Sequence, residues 1–292
     1  MMIYGDKKTK VLVQGATGNQ GAFHINLMNE YAREVGGFGV VAGVTPGKGG
    51  QEVHGVPVYN SVREAMAEHD VTASVLFVPG KVAGDSIMEA AYNGIELVVA
   101  ITEHIPVHDA MKAIAYAKLN GCSVIGPNCP GTLTPGELKL GIMPAHLSTK
   151  GKVGVVSRSG TLTYEVVNEL TMKGIGQSSV VGIGGDPVIG QTFVDVVNRF
   201  ADDGETKAVV LIGEVGGNLE EEGAIAARDA GLSLVTYIAG VSAPPEKRMG
   251  HAGAIIAGGE GDAKSKIKRL EALDVTVAKK PSDIPLLLRE IL

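Results

Sequence analysis

The sequence has 292 residues, enough for two domains of ordinary size, and its 26 basic against 32 acidic side chains give a net charge of −6 without any long basic run, which excludes the electrostatic footprint of a nucleic-acid binder. Hydrophobic residues at 45% and charged ones at 20% exclude a disordered chain or a coiled coil, and apolar runs of only about six residues are too short to span a membrane. Two cysteines, Cys122 and Cys129, supply neither a disulfide framework nor zinc spacing, and the polar start Met1–Lys10 has no apolar leader, so a reducing, cytoplasmic location is expected.

In chain order, short β-branched runs alternate with helix-length amphipathic stretches. Strands are expected at 11–13, 38–44, 73–78, 96–101 and 123–125. Helices are marked by Phe23, Leu27, Met28 and Tyr31, and by Val107, Met111, Ile114, Ala115 and Leu119. Such alternation with short loops predicts βαβ crossovers and a parallel sheet. Between Pro127 and Gly151 the rhythm breaks among Pro127, Pro130, Pro135, Pro144 and several glycines, which predicts a domain boundary there. The second half restarts with strands at 153–156, 179–183, 208–212 and 233–238, then a helix over 263–273, a strand near 275–277 and a closing helix after Pro281. It reads as a second doubly wound α/β domain. In such sheets ligands sit beyond the carboxyl ends of the strands, so the residues after each strand are the ones to inspect.

The 41 glycines are roughly twice the usual ~7% share and cluster in those post-strand positions. After the first strand, Gly15-Ala16-Thr17-Gly18-Asn19-Gln20-Gly21 suits either a nucleotide loop or a tight turn. A dinucleotide site wants an acid at the tip of the second strand. This chain has Thr45-Pro46-Gly47-Lys48-Gly49-Gly50 there, and a lysine favours additional phosphate, as in coenzyme A, over a ribose diol. The other reading of Lys48 is a solvated surface side chain. Ile101-Thr102-Glu103 adds a hydroxyl and a carboxylate to the same rim, and Gly126-Pro127-Asn128-Cys129-Pro130-Gly131 suits a pocket wall or a structural turn, with Cys129 as a buried free thiol.

In the second half, Ser157-Arg158-Ser159-Gly160-Thr161-Leu162-Thr163-Tyr164 opens a helix and reads as an anion site or an ordinary serine cap. Glu214 stands among glycines just past a buried strand. Of seven histidines, His251 is flanked by Gly250 and Ala252-Gly253, so nothing bulky shields its ring. A neutral imidazole oriented by Glu214 is a nucleophile that could carry phosphate; a structural loop histidine is the other reading.

These motifs, with Gly182-Ile183-Gly184-Gly185-Asp186-Pro187 and Lys247-Arg248-Met249-Gly250-His251-Ala252-Gly253-Ala254, resemble over essentially the whole chain the α subunits of succinyl-CoA synthetase (succinate–CoA ligase). Two departures are Asn19, where bacterial members often have Ser, and a longer stretch over 29–40. The resemblance implies a Rossmann-like CoA-binding domain over 1–130, a linker over 131–151 and a flavodoxin-like ligase domain over 152–292. It implies CoA contacts from Thr17, Gly18, Asn19, Gln20, Lys48, Ile101, Thr102 and Glu103. His251 would be the phosphorylated residue, Glu214 its orienting carboxylate, Ser159-Gly160-Thr161 the phosphate-binding helix end, and Tyr164 a neighbour of the acid substrate. No metal site is expected in this chain: ATP or GTP with Mg²⁺ would sit on a β subunit of ATP-grasp fold, in an αβ or α2β2 assembly, and the acid would be a small dicarboxylate. Malate–CoA and citrate–CoA ligases share most of these motifs and remain alternatives, as does a non-catalytic CoA- or NAD-binding sensor, against which a retained His251 with Glu214 argues.

Overall fold

The computed structural model describes residues 3–243, 250–256 and 261–292, in two compact units. The first comprises Tyr4–Met143 with Val188–Gly190. Its elements run β1 (Lys10–Gln14), α1 (Asn19–Val35), β2 (Gly39–Val44), β3 (Glu52–Val53), β4 (Val56–Tyr59), α2 (Val62–Glu68), β5 (Ala73–Leu76), α3 (Gly80–Tyr92), β6 (Leu97–Ala100), α4 (Val107–Leu119), β7 (Ser123–Ile125), β8 (Gly131–Thr134) and β9 (Leu138–Gly141). The sheet order β3-β4-β2-β1-β5-β6-β7 is parallel except for the β3 edge. From β4 onward this is the Rossmann order, with β1 at the switch point. The strands β5 and β6 are buried along their whole length, because helices cover both faces of a parallel sheet.

The sequence pattern finds part of the buried stripe of α1, Met28 and Tyr31, and misassigns that of α4. In α1 the face toward the core is His24, Ile25, Met28, Tyr31 and Ala32, while Phe23 is 57% exposed. In α4 the core side is Ala110, Ala113 and Ala117, whereas Val107, Met111 and Leu119 point to solvent. Small side chains let α4 pack tightly beside α3, where a Cβ on Gly84 would already touch Asp109. Size at the contact decided which face went inward.

The stretch expected as a linker folds in its first part into the antiparallel hairpin β8–β9, and the compact units part between Met143 and Pro144. Tyr31 Oη on α1 accepts the Gly136 N–H at 2.7 Å, tying the hairpin turn to the helix. Four-residue strands between prolines and glycines carry too little period to be seen in sequence. The short strands β3 and β4 went unpredicted for the same reason, and the helix α2, of seven residues, is too short for a sustained period.

The second unit comprises Met1–Ile3, Pro144–Pro187 and Gln191–Leu292. It contains β10 (Lys150–Ser157), α5 (Gly160–Met172), β11 (Gln177–Gly182), α6 (Phe193–Asp202), β12 (Ala208–Gly213), α7 (Leu219–Asp229), β13 (Ser233–Ile238), α8 (Ala263–Ala272), β14 (Thr276–Ala278) and α9 (Ile284–Ile291). The parallel order β14-β13-β12-β10-β11 is that of a flavodoxin-like sheet. Its centre is β12, Ala208–Gly213, buried at every residue. Phe193 and Phe200 of α6 are fully buried, and the Phe200 ring occupies the space a Cβ on Gly154 would need, 2.8 Å away. Thr192 and Asp195 form a reciprocal capping box that starts α6. Among the described residues no helix is long and apolar enough to cross a membrane.

Candidate active site

In the second unit the loops after β10, β11 and β12 meet the 250–256 segment. Glu214 follows β12 directly and is buried; its backbone N–H donates to Glu220 Oε1 at 3.1 Å, so the first turn of α7 fixes the turn that presents it. Glu214 Oε2 lies 2.8 Å from His251 Nδ1, and Glu214 Oε1 lies 3.3 Å from Arg158 Nη2. Arg158, between β10 and α5, is buried, with Nη1 3.4 Å from both Glu220 Oε1 and the Gly216 carbonyl. Glu220 and Lys266 are fully buried and ion-paired, and Lys266 Nζ donates to the Gly216 carbonyl at 2.8 Å. Two full charges in a dry interior demand such pairing.

Glycines bring the histidine in. A Cβ on Gly185, in the loop after β11, would lie 2.1 Å from His251 Cγ, so the ring rests against bare backbone. Gly253 N–H donates to the Gly185 carbonyl at 2.9 Å, and a Cβ on Gly253 would lie 2.7 Å from Arg158 Nη2. With Nδ1 engaged by Glu214, Nε2 has no hydrogen-bond partner among the described residues. The hydrogen bond to Glu214 raises the His251 pKa above its ordinary value; burial and the Arg158 charge oppose the rise, and Asp186 adds to it.

Ser159 caps α5, its hydroxyl accepting the Leu162 N–H at 3.3 Å, with Thr161 exposed and Tyr164 half-buried at the start of the helix. Both expectations for Ser159, cap and helix-end anion site, fit this geometry, since its hydroxyl bond leaves the Gly160 and Thr161 amides outside it. Lys247, Arg248 and Met249 of the histidine motif lie outside the described residues.

In the first unit, α1 begins at Asn19 with Gly18 as N-cap and no side chain closing its first amides. Gly18, Asn19 and Gln20 are exposed; Thr17 is half-buried, its N–H bound to Thr45 Oγ1 at 3.2 Å. Gly15 has φ +80°, and a Cβ on Gly21 would lie 2.2 Å from the Gly15 carbonyl, so the loop folds as it does only with glycine at both places. Lys48 is exposed on a loop held by Asn60 Oδ1, which accepts the Gly47 and Gly49 N–H groups at 3.0 Å. Glu103 is exposed and Ile101 half-buried, but Thr102 is buried and its hydroxyl donates to the Val78 carbonyl at 2.8 Å. Thr102 thereby anchors the rim to the neighbouring β5–α3 turn. The uncapped helix end, the flush glycines and the nearby free-standing lysine fit a phosphate-rich ligand such as CoA.

Residues 6–104 match the family model of the CoA binding domain and residues 156–276 that of CoA-ligase. The α subunit 2 of ADP-forming succinate–CoA ligase from Archaeoglobus fulgidus is 56% identical over 292 residues, covering 100% of both chains. The corresponding α subunits of Methanothermobacter thermautotrophicus and Staphylococcus aureus are 56% and 54% identical, each covering 97% of this chain and 95% and 93% of theirs. The chain belongs to the succinate–CoA ligase α-subunit family. That makes it a subunit of an acid–CoA ligase, with a CoA-binding domain, and an α subunit implies a β partner. Among solved structures, ATP citrate lyase of Methanosaeta concilii with (3S)-citryl-CoA superposes with a TM-score of 0.88 at 24% identity, over 98% of this chain and 50% of that one. A dinucleotide-forming acetyl-CoA synthetase of Ca. Korarchaeum cryptofilum gives 0.75 at 21%, over 94% and 59%. This chain spans about half the length of these proteins, and at such identity the likeness shows a shared fold.

The geometry brings together His251 and Glu214, two of the residues singled out in the sequence. Sequence reasoning missed Arg158, Glu220 and Lys266. Arg158 stood inside a quoted motif without a role, and a charged residue directly after a buried strand was the available signal. Glu220 and Lys266 sit on helices where a charge normally faces water, and nothing in their neighbours announces burial. Cys129 is a buried thiol that donates toward the Ala100 and Ile125 carbonyls.

Proposed function

We propose that the chain is the α subunit of a succinate–CoA ligase in which His251 Nε2 carries a phosphoryl group between nucleotide and acid. The observation that carries this reading is the 2.8 Å contact between Glu214 Oε2 and His251 Nδ1. A carboxylate on Nδ1 selects the tautomer with the proton there and leaves a lone pair on Nε2. The Nε2 lone pair attacks the γ-phosphorus of the nucleotide, the bond to the diphosphate oxygen breaks, and NDP leaves with its electron pair. An oxygen of succinate then takes the phosphoryl group, breaking N–P and restoring the imidazole. The CoA thiolate attacks the acyl carbon, expelling phosphate and forming the thioester. During the first two steps Glu214 stabilises the charge that develops on the ring through Nδ1–H.

The amides at the start of α5, with Ser159, Gly160 and Thr161, are assigned to the phosphoryl oxygens, and Tyr164 to the acid. Thr17, Gly18, Asn19, Gln20, Lys48, Ile101 and Glu103 would hold CoA, which supplies the thiol, with Thr102 supporting the rim. Nucleotide and Mg²⁺ belong to a β partner of ATP-grasp fold, and the assembly to the cytoplasm. Succinate is favoured over malate or citrate because the full-length relatives at 54–56% identity carry that name, whereas the citrate enzyme at 24% shares only the fold.

With the β partner and γ-³²P-ATP, the chain should take up acid-labile, base-stable label. His251→Asn should abolish it. Label retained in the Asn variant would move the phosphoryl site off His251.

A further inference from the structure

The groups behind His251 alternate in sign. Glu214 and Glu220 carry two negative charges, Arg158 and Lys266 two positive ones, and all four side chains are at least nine-tenths buried. With the imidazole neutral the set therefore sums to zero. Arg158 links the two halves, touching Glu214 at 3.3 Å and Glu220 at 3.4 Å, while its own Nε is buried without a hydrogen-bond partner among the described residues. A guanidinium bonded so sparsely is not held there by hydrogen bonding alone. Glu214 by itself would favour a protonated ring, and an imidazolium has no lone pair on Nε2 to offer.

We propose that Arg158, backed by Glu220 and Lys266, is a positioning residue whose charge keeps this buried set neutral while the His251 ring is neutral, so that the ring stays nucleophilic despite its carboxylate partner. An unbalanced charge in a poorly solvated site is costly, and the imidazole, still 25% exposed, is the member best placed to gain or lose a proton in compensation. Removing the Arg158 charge leaves the set at −1, which a proton on His251 restores to zero. Removing the Glu220 charge leaves it at +1 and resists that proton. Around the ring, Glu214 comes from the loop after β12, Arg158 from the loop after β10 and Asp186 from the loop after β11; Asp186 is half-buried and pulls in the same direction as Glu214. The inference rests on His251 being the phosphoryl carrier for its purpose, but not for its measurement.

The test is an NMR pH titration of the His251 ring in the full-length chain labelled with ¹⁵N-histidine, the signal assigned by its loss in His251→Asn. Arg158→Gln should raise the ring's pKa by about one unit, Glu220→Gln should lower it, and the double variant should return close to the wild-type value. Opposite signs and cancellation are outcomes that a purely structural role does not produce. Should Arg158→Gln not fold, the double variant against Glu220→Gln carries the same comparison, the first lying above the second. Equal values in all variants, or shifts of one sign only, would overturn the proposal. No nucleotide is used, so failure of phosphoryl labelling would count against the carrier role of His251 and leave this titration to be judged separately.

Discussion

His251 receives its carboxylate partner through Nδ1 and its support through the absence of a side chain at Gly185. The methyl group of Gly185→Ala cannot share the space 2.1 Å from His251 Cγ, so ring or loop must shift, and labelling of His251 should fall by on the order of 10²-fold with the fold kept. Circular dichroism alongside single-turnover labelling checks both parts, and undiminished labelling would show that the ring tolerates displacement. The raised His251 pKa also has a consequence for stability. A group whose folded pKa lies above the unfolded value, near 6.5, adds stability that is complete below that value and is lost as pH rises through the folded one. The stability gap between wild type and Glu214→Gln should therefore be wider at pH 5.5 than at pH 8.5, as read from denaturant midpoints. A gap that widens toward alkaline pH would assign the coupling to another group.

At the scale of elements, both units place their chemistry where a parallel strand stops and a helix starts. The α1 end leaves its first amides without a side-chain cap, and the loop after β2, braced by Asn60, holds Lys48 out into solvent. A lysine so exposed interacts as a point charge screened by water, and its effect is correspondingly modest. Lys48→Ala should weaken CoA about five- to tenfold while changing dephospho-CoA little, as measured by calorimetry. Equal losses for the two ligands would make the residue a support of its loop. Thr102 is the contrasting case on the same rim, since its hydroxyl is already engaged with Val78.

For the whole molecule, the described residues supply a CoA-type loop in one unit and a histidine with its charge partners in the other, both on sheets whose cores are closed. The nucleotide is assigned to a partner, so the purified single chain should bind CoA and show no acid- and CoA-dependent ATP hydrolysis. Co-expressed with an ATP-grasp subunit it should elute as a complex that converts succinate, CoA and ATP to succinyl-CoA, ADP and phosphate. A permanent interface of this kind buries on the order of 2,000 Å² or more. Turnover by the single chain, with mass spectrometry excluding a partner, would contradict the division of labour.

The sequence by itself determined the alternation of strands and helices, the two doubly wound units and the positions of the post-strand motifs, because continuous β-branched runs such as Ala208–Gly213 and glycine-rich turns are local signals. It also singled out Glu214, a carboxylate among glycines just past a buried strand, and His251, whose flanking glycines leave its ring unshielded; their contact across 37 residues is a finding of the tertiary structure. Tertiary structure alone decided the rest. Which face of α4 is buried depended on alanines fitting against α3, and hydrophobicity pointed to the opposite side. The turn of the hairpin β8–β9 is tied to α1 through Tyr31, a contact spanning 105 residues. Arg158, Glu220 and Lys266 carry no sequence signal of burial as a group, and only their mutual distances reveal that each makes the others' burial tolerable.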